Sequence, residues 1–397
     1  MNDKFKAIDC GMSSLAVFRS LLGDEIINEL WQLLNSGCED VSVNIYNYSE
    51  FVSKLYKSGA NLSEYVLKAV LQDENFYISG RAKGETFDSF IEEAVENELR
   101  ILQEFSQLQP QDFALFADGT ISLPKWKTTE FDFVKEYKSR IENIGRYGYG
   151  KFAQNRMFIL RKGEIVPVKH PDPQRLSSLF GYERERKAVI DNTLALLSGK
   201  PAQNVLLYGD AGTGKSSTVK AVVNEFADKG LRLIEITKEQ LRDIPDIIES
   251  ISANPLKFII FIDDLSFVSG EDCFGALKAT LEGSVSARTG NTAIYATSNR
   301  RHLVKESFSD RDGDDIHRND SMQETLSLSA RFGLRVNFSK PDKKSYVQIA
   351  QELAAQHGIN IDSDTLALKA EQFAMQGSGR SPRTARQFVN QLINEQK

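Results

Sequence analysis

The sequence predicts an α/β fold: a doubly wound parallel-sheet domain, followed by a C-terminal helical lid and preceded by a mainly helical N-terminal domain. Three observations carry this. Apolar runs of strand length at 204–208, 231–236, 257–262, 292–297 and 334–338 alternate with helical patterns. The run Phe258-Ile259-Ile260-Phe261-Ile262 is unbroken, as suits a strand buried on both faces of a parallel sheet. The first run leads into Gly209-Asp210-Ala211-Gly212-Thr213-Gly214-Lys215-Ser216 and then a helical stretch from Ser217, which sets G-x-x-x-x-G-K-[ST] between a strand and a helix.

Each residue type in that loop has its own chemical reason. Gly209, Gly212 and Gly214 let the backbone turn and bring its N–H groups close to phosphate oxygens, and the following helix directs its positive dipole end at the same anion. Lys215 would span the β- and γ-phosphates, and the Ser216 hydroxyl would sit on Mg²⁺. An ordinary glycine-rich strand-to-helix turn is the plain alternative, and the filled spacing and correct flanks weigh against it.

With 397 residues the chain is long for one core and suggests two or three domains. Its 41% hydrophobic and 26% charged residues are those of a soluble globular protein. No apolar stretch reaches membrane-spanning length and the N-terminus lacks a signal-peptide core, so a cytoplasmic protein without a membrane partner is expected. Cys10, Cys38 and Cys273 are scattered and show neither disulfide nor zinc spacing. A net charge of −6 argues against a surface that coats nucleic acid throughout, while leaving room for a local basic patch.

Residues 1–144 read mainly as amphipathic helices. One pattern runs from Leu15-Ala16-Val17-Phe18 through Leu21-Leu22 and Ile26-Ile27 to Leu33-Leu34. Another runs from Phe87 to Phe105, with Glu92, Glu93, Glu96 and Glu98 falling largely off the apolar face. Residues 145–175 change character. Gly145-Arg146-Tyr147-Gly148-Tyr149-Gly150-Lys151-Phe152 interleaves basic and aromatic residues, weakly like an RNA-binding strand, and a hairpin follows at 157–160 and 165–168. That hairpin is expected to dock a linker onto the next domain, with His170-Pro171-Asp172-Pro173 as a stiff connector. The nucleotide domain is placed at 176–339 and the lid at 340–397.

Asp263, at the end of its strand, is where such folds place the acidic residue that holds Mg²⁺ through water, and Asp264 could position or activate the attacking water. Two adjacent aspartates capping the next helix is the alternative. The acidic run at 310–315 imitates a calcium loop, but Asp315 stands where glycine is needed and Ser321 where glutamate is needed, so it reads as a solvated insertion.

These features together resemble the AAA+ superfamily of P-loop ATPases, and in particular an uncharacterised bacterial family of predicted AAA+ ATPases, from about Gly145 to the C-terminus. The residues that carry the resemblance are Leu179-Phe180-Gly181-Tyr182-Glu183, the 209–216 loop, Phe261-Ile262-Asp263-Asp264-Leu265, the stretch from Tyr295 to Leu303, Leu328-Ser329-Ala330-Arg331-Phe332-Gly333, and the stretch from Ser378 to Phe388. The resemblance implies that Phe180, Gly181 and Tyr182 line the adenine pocket, with the loop from Gly209 to Ser217 on the phosphates. Asn299 would be the sensor of the γ-phosphate or the attacking water. Arg331 would be an arginine finger reaching a neighbouring subunit's nucleotide, and Arg383 the second sensor in the lid. Guanidinium groups suit these roles because they stay charged and grip phosphate bidentately. Arg300, Arg301, Arg380 and Arg386 are rivals for them.

What the resemblance implies in function is an ATPase using ATP and Mg²⁺, oligomeric if Arg331 acts in trans, and working on a protein client. Many members carry Asp-Glu where this chain has Asp263-Asp264. The shorter carboxylate sets its oxygen back by about one bond length, roughly 1.5 Å, so hydrolysis is expected to be slow or partner-dependent. No pore-loop signature appears between the second and third strands. A nucleotide-dependent switch or adaptor that hydrolyses little, and a nucleic-acid loader or remodeller resting on the 146–162 basic segment, are the alternatives. A small-molecule kinase shares the loop but not the lid arginine and sensor.

Overall fold

The computed structural model describes residues 3–35, 40–117, 121–268, 272–282, 290–299, 304–305, 328–377 and 379–395. The chain divides into two compact units, 1–154 and 155–397.

The first unit is helical. Asp40, Asn61, Asn75 and Asp132 each accept a backbone N–H at the start of the helices Val41–Lys57, Leu62–Gln72, Phe76–Ala82 and Phe133–Glu142. Such capping satisfies N–H groups that helical bonding leaves open. Its core includes Tyr48, Phe51, Phe113 and Trp126, whose rings meet edge-on or tilted at 5.2 to 5.8 Å between centroids.

The helical pattern expected across Leu15 to Leu34 is interrupted. The helix Asp3–Ser13 stops and Leu15 to Phe18 form a bend, before the short turn Arg19–Gly23 and the helix Glu25–Asn35. Glu98 is the reason. It lies on the buried face of the helix Ser89–Ser106, not off it, and its carboxylate accepts the N–H groups of Ala16, Val17 and Phe18 at 2.9 to 3.1 Å. A carboxylate buried in this way is retained because three donors replace its water.

The second unit is built on a sheet whose strands are β1 (Met157–Arg161), β2 (Glu164–Pro167), β3 (Val205–Gly209), β4 (Leu231–Ile236), β5 (Lys257–Ile262), β7 (Thr292–Ser298) and β9 (Leu334–Phe338). Among the described residues the order is β2-β1-β4-β5-β7-β3-β9. All neighbours are parallel except the hairpin β1–β2. Two short segments, β6 (Phe267–Val268) and β8 (Val304–Lys305), pair separately. The hairpin is therefore part of this sheet, with β1 hydrogen-bonded alongside β4, rather than a linker device beside it.

Alternate residues of β3, β5 and β7 point to opposite faces. Val205, Leu207, Ile259, Phe261 and Tyr295 pack on the helices Glu183–Leu197 and Lys215–Phe226 through Val189, Leu196, Val219 and Val223. Leu206, Ile260 and Ile294 on the other face are buried as well, which is why these runs are continuously apolar. The lid holds three helices, Lys343–Gln356, Ser363–Gln376 and Pro382–Glu395, around Tyr346, Ile349, Leu353, Phe388 and Leu392.

Replacing Glu98 by alanine leaves three N–H groups without their acceptor, and we expect it to destabilise the first unit by about 3 kcal/mol. Both tryptophans of the chain, Trp31 and Trp126, lie in that unit. Urea unfolding followed by tryptophan fluorescence therefore reads the loss directly, and an unchanged midpoint would contradict the assigned role.

Candidate functional site

Parallel strands bring all their carboxyl ends to one edge of the sheet, and β3, β5 and β7 each end there on a polar residue or loop. The register sets Leu207 beside Thr297 and Ile262 beside Ala296, so the segments that follow the three strands converge. The phosphate loop follows β3, Asp263-Asp264 follows β5, and Asn299 follows β7. They line a cleft of about 360 Å³, closed on the other side by Pro382, Arg383 and Arg386 of the lid.

Glycine is required in the loop for two different reasons. A Cβ on Gly209 (φ +127°) would lie 2.4 Å from the carbonyl oxygen of Phe338 in the adjacent strand, whereas Gly214 (φ +92°) sits in open space and is fixed by its left-handed backbone at the start of the helix Lys215–Phe226. Thr213 donates to the Asp210 carbonyl at 2.8 Å and closes the loop on itself. The Asp210 carboxylate accepts the N–H of Lys340 at 2.8 Å, and the N–H of Arg383 donates to the Gly212 carbonyl at 3.2 Å. The loop is thus tied to both the start and the last helix of the lid.

Lys215 is 6% exposed. Its ammonium donates to the carbonyls of Gly209 (3.0 Å) and Asp210 (2.7 Å) and to Oδ1 of Asn299 (2.9 Å). The amide of Asn299 donates in turn to Oδ1 of Asp264 at 2.7 Å. Beside this chain, the Ser216 hydroxyl donates to Oδ1 of Asp263 at 2.6 Å. Asp264 adopts φ +54°, a left-handed conformation that is uncommon outside glycine, asparagine and aspartate. Its N–H donates to the Thr297 hydroxyl oxygen at 2.9 Å, which holds the turn in place.

These groups fit a magnesium nucleotide. The hydroxyl of Ser216 and the carboxylate of Asp263 already converge within hydrogen-bond distance, as two oxygen donors of one hard cation must. Open backbone at a helix N-terminus and a buried ammonium face the same space.

Other expected residues divide. Phe180 borders a small cavity next to the cleft with Leu179, Thr213, Ile349 and Leu353. Gly181 and Tyr182, expected with it, do not line that cavity. Gly181 (φ +71°) turns the chain where a Cβ would come 2.8 Å from Ile349, and Tyr182 stacks on Phe338 while donating to the Ser339 carbonyl at 2.6 Å. Ala211, Gly212, Ser217 and Arg383 line the main cleft. Arg331 lies in the helical turn 328–331 before the edge strand β9 and does not line the cleft. Among its rivals, Arg380 is engaged bidentately by Glu371 at 2.8 and 2.9 Å, while Arg386 reaches the cleft and also donates to Gln174 and Ser178. Arg300, Arg301 and the acidic run at 310–315 lie outside the described residues.

The basic and aromatic segment at 145–152 forms short helical turns, Ile144–Tyr147 and Gly150–Gln154, with Tyr149 and Phe152 buried, so its rings do not share a strand face. Sequence reasoning gave no role to Thr297 or Arg186. Thr297 is one of several hydroxyl residues of β7, with nothing in its spacing to mark it, and Arg186, 9% exposed, borders the small cavity.

A parallel sheet with a phosphate loop after β3 and paired aspartates after β5 is the fold of the AAA+ class of P-loop proteins. Residues 153–396 match the model of the family described as "Protein of unknown function (DUF815)", and the chain belongs to that family. Among curated proteins, the chain is similar to the replication factor C large subunit of Staphylothermus marinus, 32% identical over 117 residues, covering 28% of this chain and 27% of that protein. It is also similar to the chromosomal replication initiator protein DnaA of Borreliella burgdorferi, 23% identical over 271 residues, covering 61% of this chain and 49% of that protein. The chain thus spans half or less of the length of these relatives. A solved structure of the Thermotoga maritima RuvB Holliday junction branch migration motor aligns at 16% identity with a TM-score of 0.39, over 56% of this chain and 65% of that one. Among the described residues no helix is long and apolar enough to cross a membrane.

Burial lowers the Lys215 pKa below the ordinary lysine value, while Asp210, Asp264 and Asp263 pull it upward. Between the folded and unfolded values the unfolded chain binds the proton more tightly, so this group makes stability rise with pH in that window. A bound phosphate anion favours the ammonium again. At alkaline pH, binding of the nucleotide is therefore expected to take up a proton, measured by calorimetry in buffers of different ionisation enthalpy. The uptake should be absent in Lys215→Met.

Proposed function

We propose that the chain is a magnesium-dependent ATPase of the AAA+ type that binds ATP between the phosphate loop and the lid and uses its turnover to drive or switch a client. The observation that carries the proposal is the bridge made by Asn299, whose two amide atoms hold Lys215 and Asp264 at 2.9 and 2.7 Å beside the Ser216–Asp263 pair. Nucleophile positioning and phosphate binding are thereby linked through one side chain.

In this reading Ser216 and Asp263 would hold Mg²⁺, which when bound would supply neutralisation of charge on the phosphate oxygens. Lys215 exchanges its protein acceptors for phosphate oxygens, and Asn299 is left to orient the attacking water. Asp264 accepts a proton from that water as its oxygen bonds to the γ-phosphorus and the bond to the ADP oxygen breaks. Arg383 lines the cleft from the lid and would steady the charge that moves onto the leaving group. Arg331, away from the chain's own cleft, suits action on a neighbouring subunit's nucleotide, which makes a homo-oligomer the active form.

One observation favours slow or gated turnover. The short Asp264 carboxylate is fixed by Asn299 and by a left-handed backbone, so it reaches water only after that contact changes. A switch that binds ATP firmly and releases its client on rare hydrolysis is the second reading. The matches to a replication factor subunit and a replication initiator support a client linked to nucleic acid, and a soluble, cytoplasmic setting is part of the proposal.

Steady-state hydrolysis per subunit, measured across a wide range of protein concentration, tests this. Activity is expected to rise with concentration, to fall at least about a hundredfold in Lys215→Ala, and to recover when Lys215→Ala and Arg331→Ala are mixed. Nucleotide binding without turnover at any concentration would replace the motor reading by the switch.

A further inference from the structure

We infer that Thr297 is the positioning residue for the acidic pair, setting Asp263 to receive the divalent cation and Asp264 to face the nucleophile. The inference rests on the magnesium-nucleotide reading of the cleft and adds to it a residue to which no role attaches so far.

Thr297 is the penultimate residue of β7 and is 2% exposed. Its hydroxyl works in both directions. It donates to Oδ1 of Asp263 at 2.5 Å and accepts the N–H of Asp264 at 2.9 Å. Its carbonyl accepts the N–H of Leu265 at 2.7 Å. One buried residue on β7 therefore fixes three consecutive residues that follow the neighbouring strand β5.

The consequence for Asp263 is directional. Ser216, Thr297 and the N–H of Asp264 all donate to Oδ1, at 2.6, 2.5 and 3.1 Å. Among the described residues no hydrogen bond is made to Oδ2. The carboxylate is pinned through one oxygen and keeps the other for an incoming cation or its water. Hydrogen bonds to ligating carboxylates orient them and raise metal affinity, and their loss typically costs 10- to 100-fold in that affinity. The consequence for Asp264 is conformational. Its φ of +54° costs free energy, and the N–H bond to Thr297 is one of the contacts that keep it there.

Valine has nearly the shape of threonine and lacks the hydroxyl, so Thr297→Val removes both hydrogen bonds, whereas Thr297→Ser keeps them. The test is binding of a fluorescent ATP analogue to the full chain, titrated with Mg²⁺ and repeated in excess EDTA, with thermal melting of each protein alone. We expect Thr297→Val to raise the half-saturating Mg²⁺ concentration about tenfold, to leave binding in EDTA unchanged, and to be rescued by Thr297→Ser. An unshifted Mg²⁺ dependence in Thr297→Val would overturn the assignment. So would a valine variant that loses EDTA-phase binding and melts lower, because Thr297 would then merely support the fold. A wild-type chain that binds the analogue under neither condition would overturn the nucleotide reading itself, and this outcome is distinct from the other two.

Discussion

The buried ammonium of Lys215 is the constraint on which the second unit depends. A cation at 6% exposure must be fully hydrogen-bonded, and three oxygens surround it. Two are loop carbonyls, available only because the glycines let the chain fold back on itself. The third belongs to Asn299, carried by a different strand. Removing the lysine would leave these acceptors without their donor and would loosen the tie between β3 and β7. A bound phosphate would instead offer better acceptors, so in the proposed function the same charge would recognise the ligand.

From that point the geometry spreads through strand register. Because β3, β5 and β7 are parallel neighbours, their ends meet at one edge, and Asn299, Asp264, Asp263 and Ser216 fall within a single hydrogen-bonded group. The lid is attached to the same loop through Asp210 and Lys340 at its first end and Gly212 and Arg383 at its last helix. In the proposed function these two contacts would be the route by which a nucleotide in the loop bears on both ends of the lid.

Much of this was readable from the residues, for reasons that differ by element. Strands β4, β5 and β9 begin and end where the expected runs do: β5 is apolar and buried from Phe258 to Ile262, while the edge strand β9 alternates, with Arg335 and Asn337 exposed. The phosphate loop was readable because glycine, lysine and serine have few substitutes at those positions. Long-range effects were not readable. The break at Leu15 to Phe18 comes from Glu98, some eighty residues away, and a local helical pattern carries no sign of it. The role of β1 as a sheet strand depends on pairing with β4. The stacking of Tyr182 on Phe338, distant in sequence, is likewise a long-range contact that local pattern does not carry. Thr297 was not readable because a threonine in a strand that also holds Thr292 and Ser298 signals nothing until the neighbouring strand end is known.

The most direct test of the account is a structure of the full chain with Mg²⁺ and a slowly hydrolysed ATP analogue. The account predicts phosphates on the 209–216 loop, Lys215 moved from the Asn299 oxygen to a phosphate oxygen, and a cation held at Ser216 and Asp263 with the Thr297 bond to Asp263 Oδ1 kept. A nucleotide bound elsewhere, or one in the cleft with the Lys215–Asn299 contact unchanged, would contradict it.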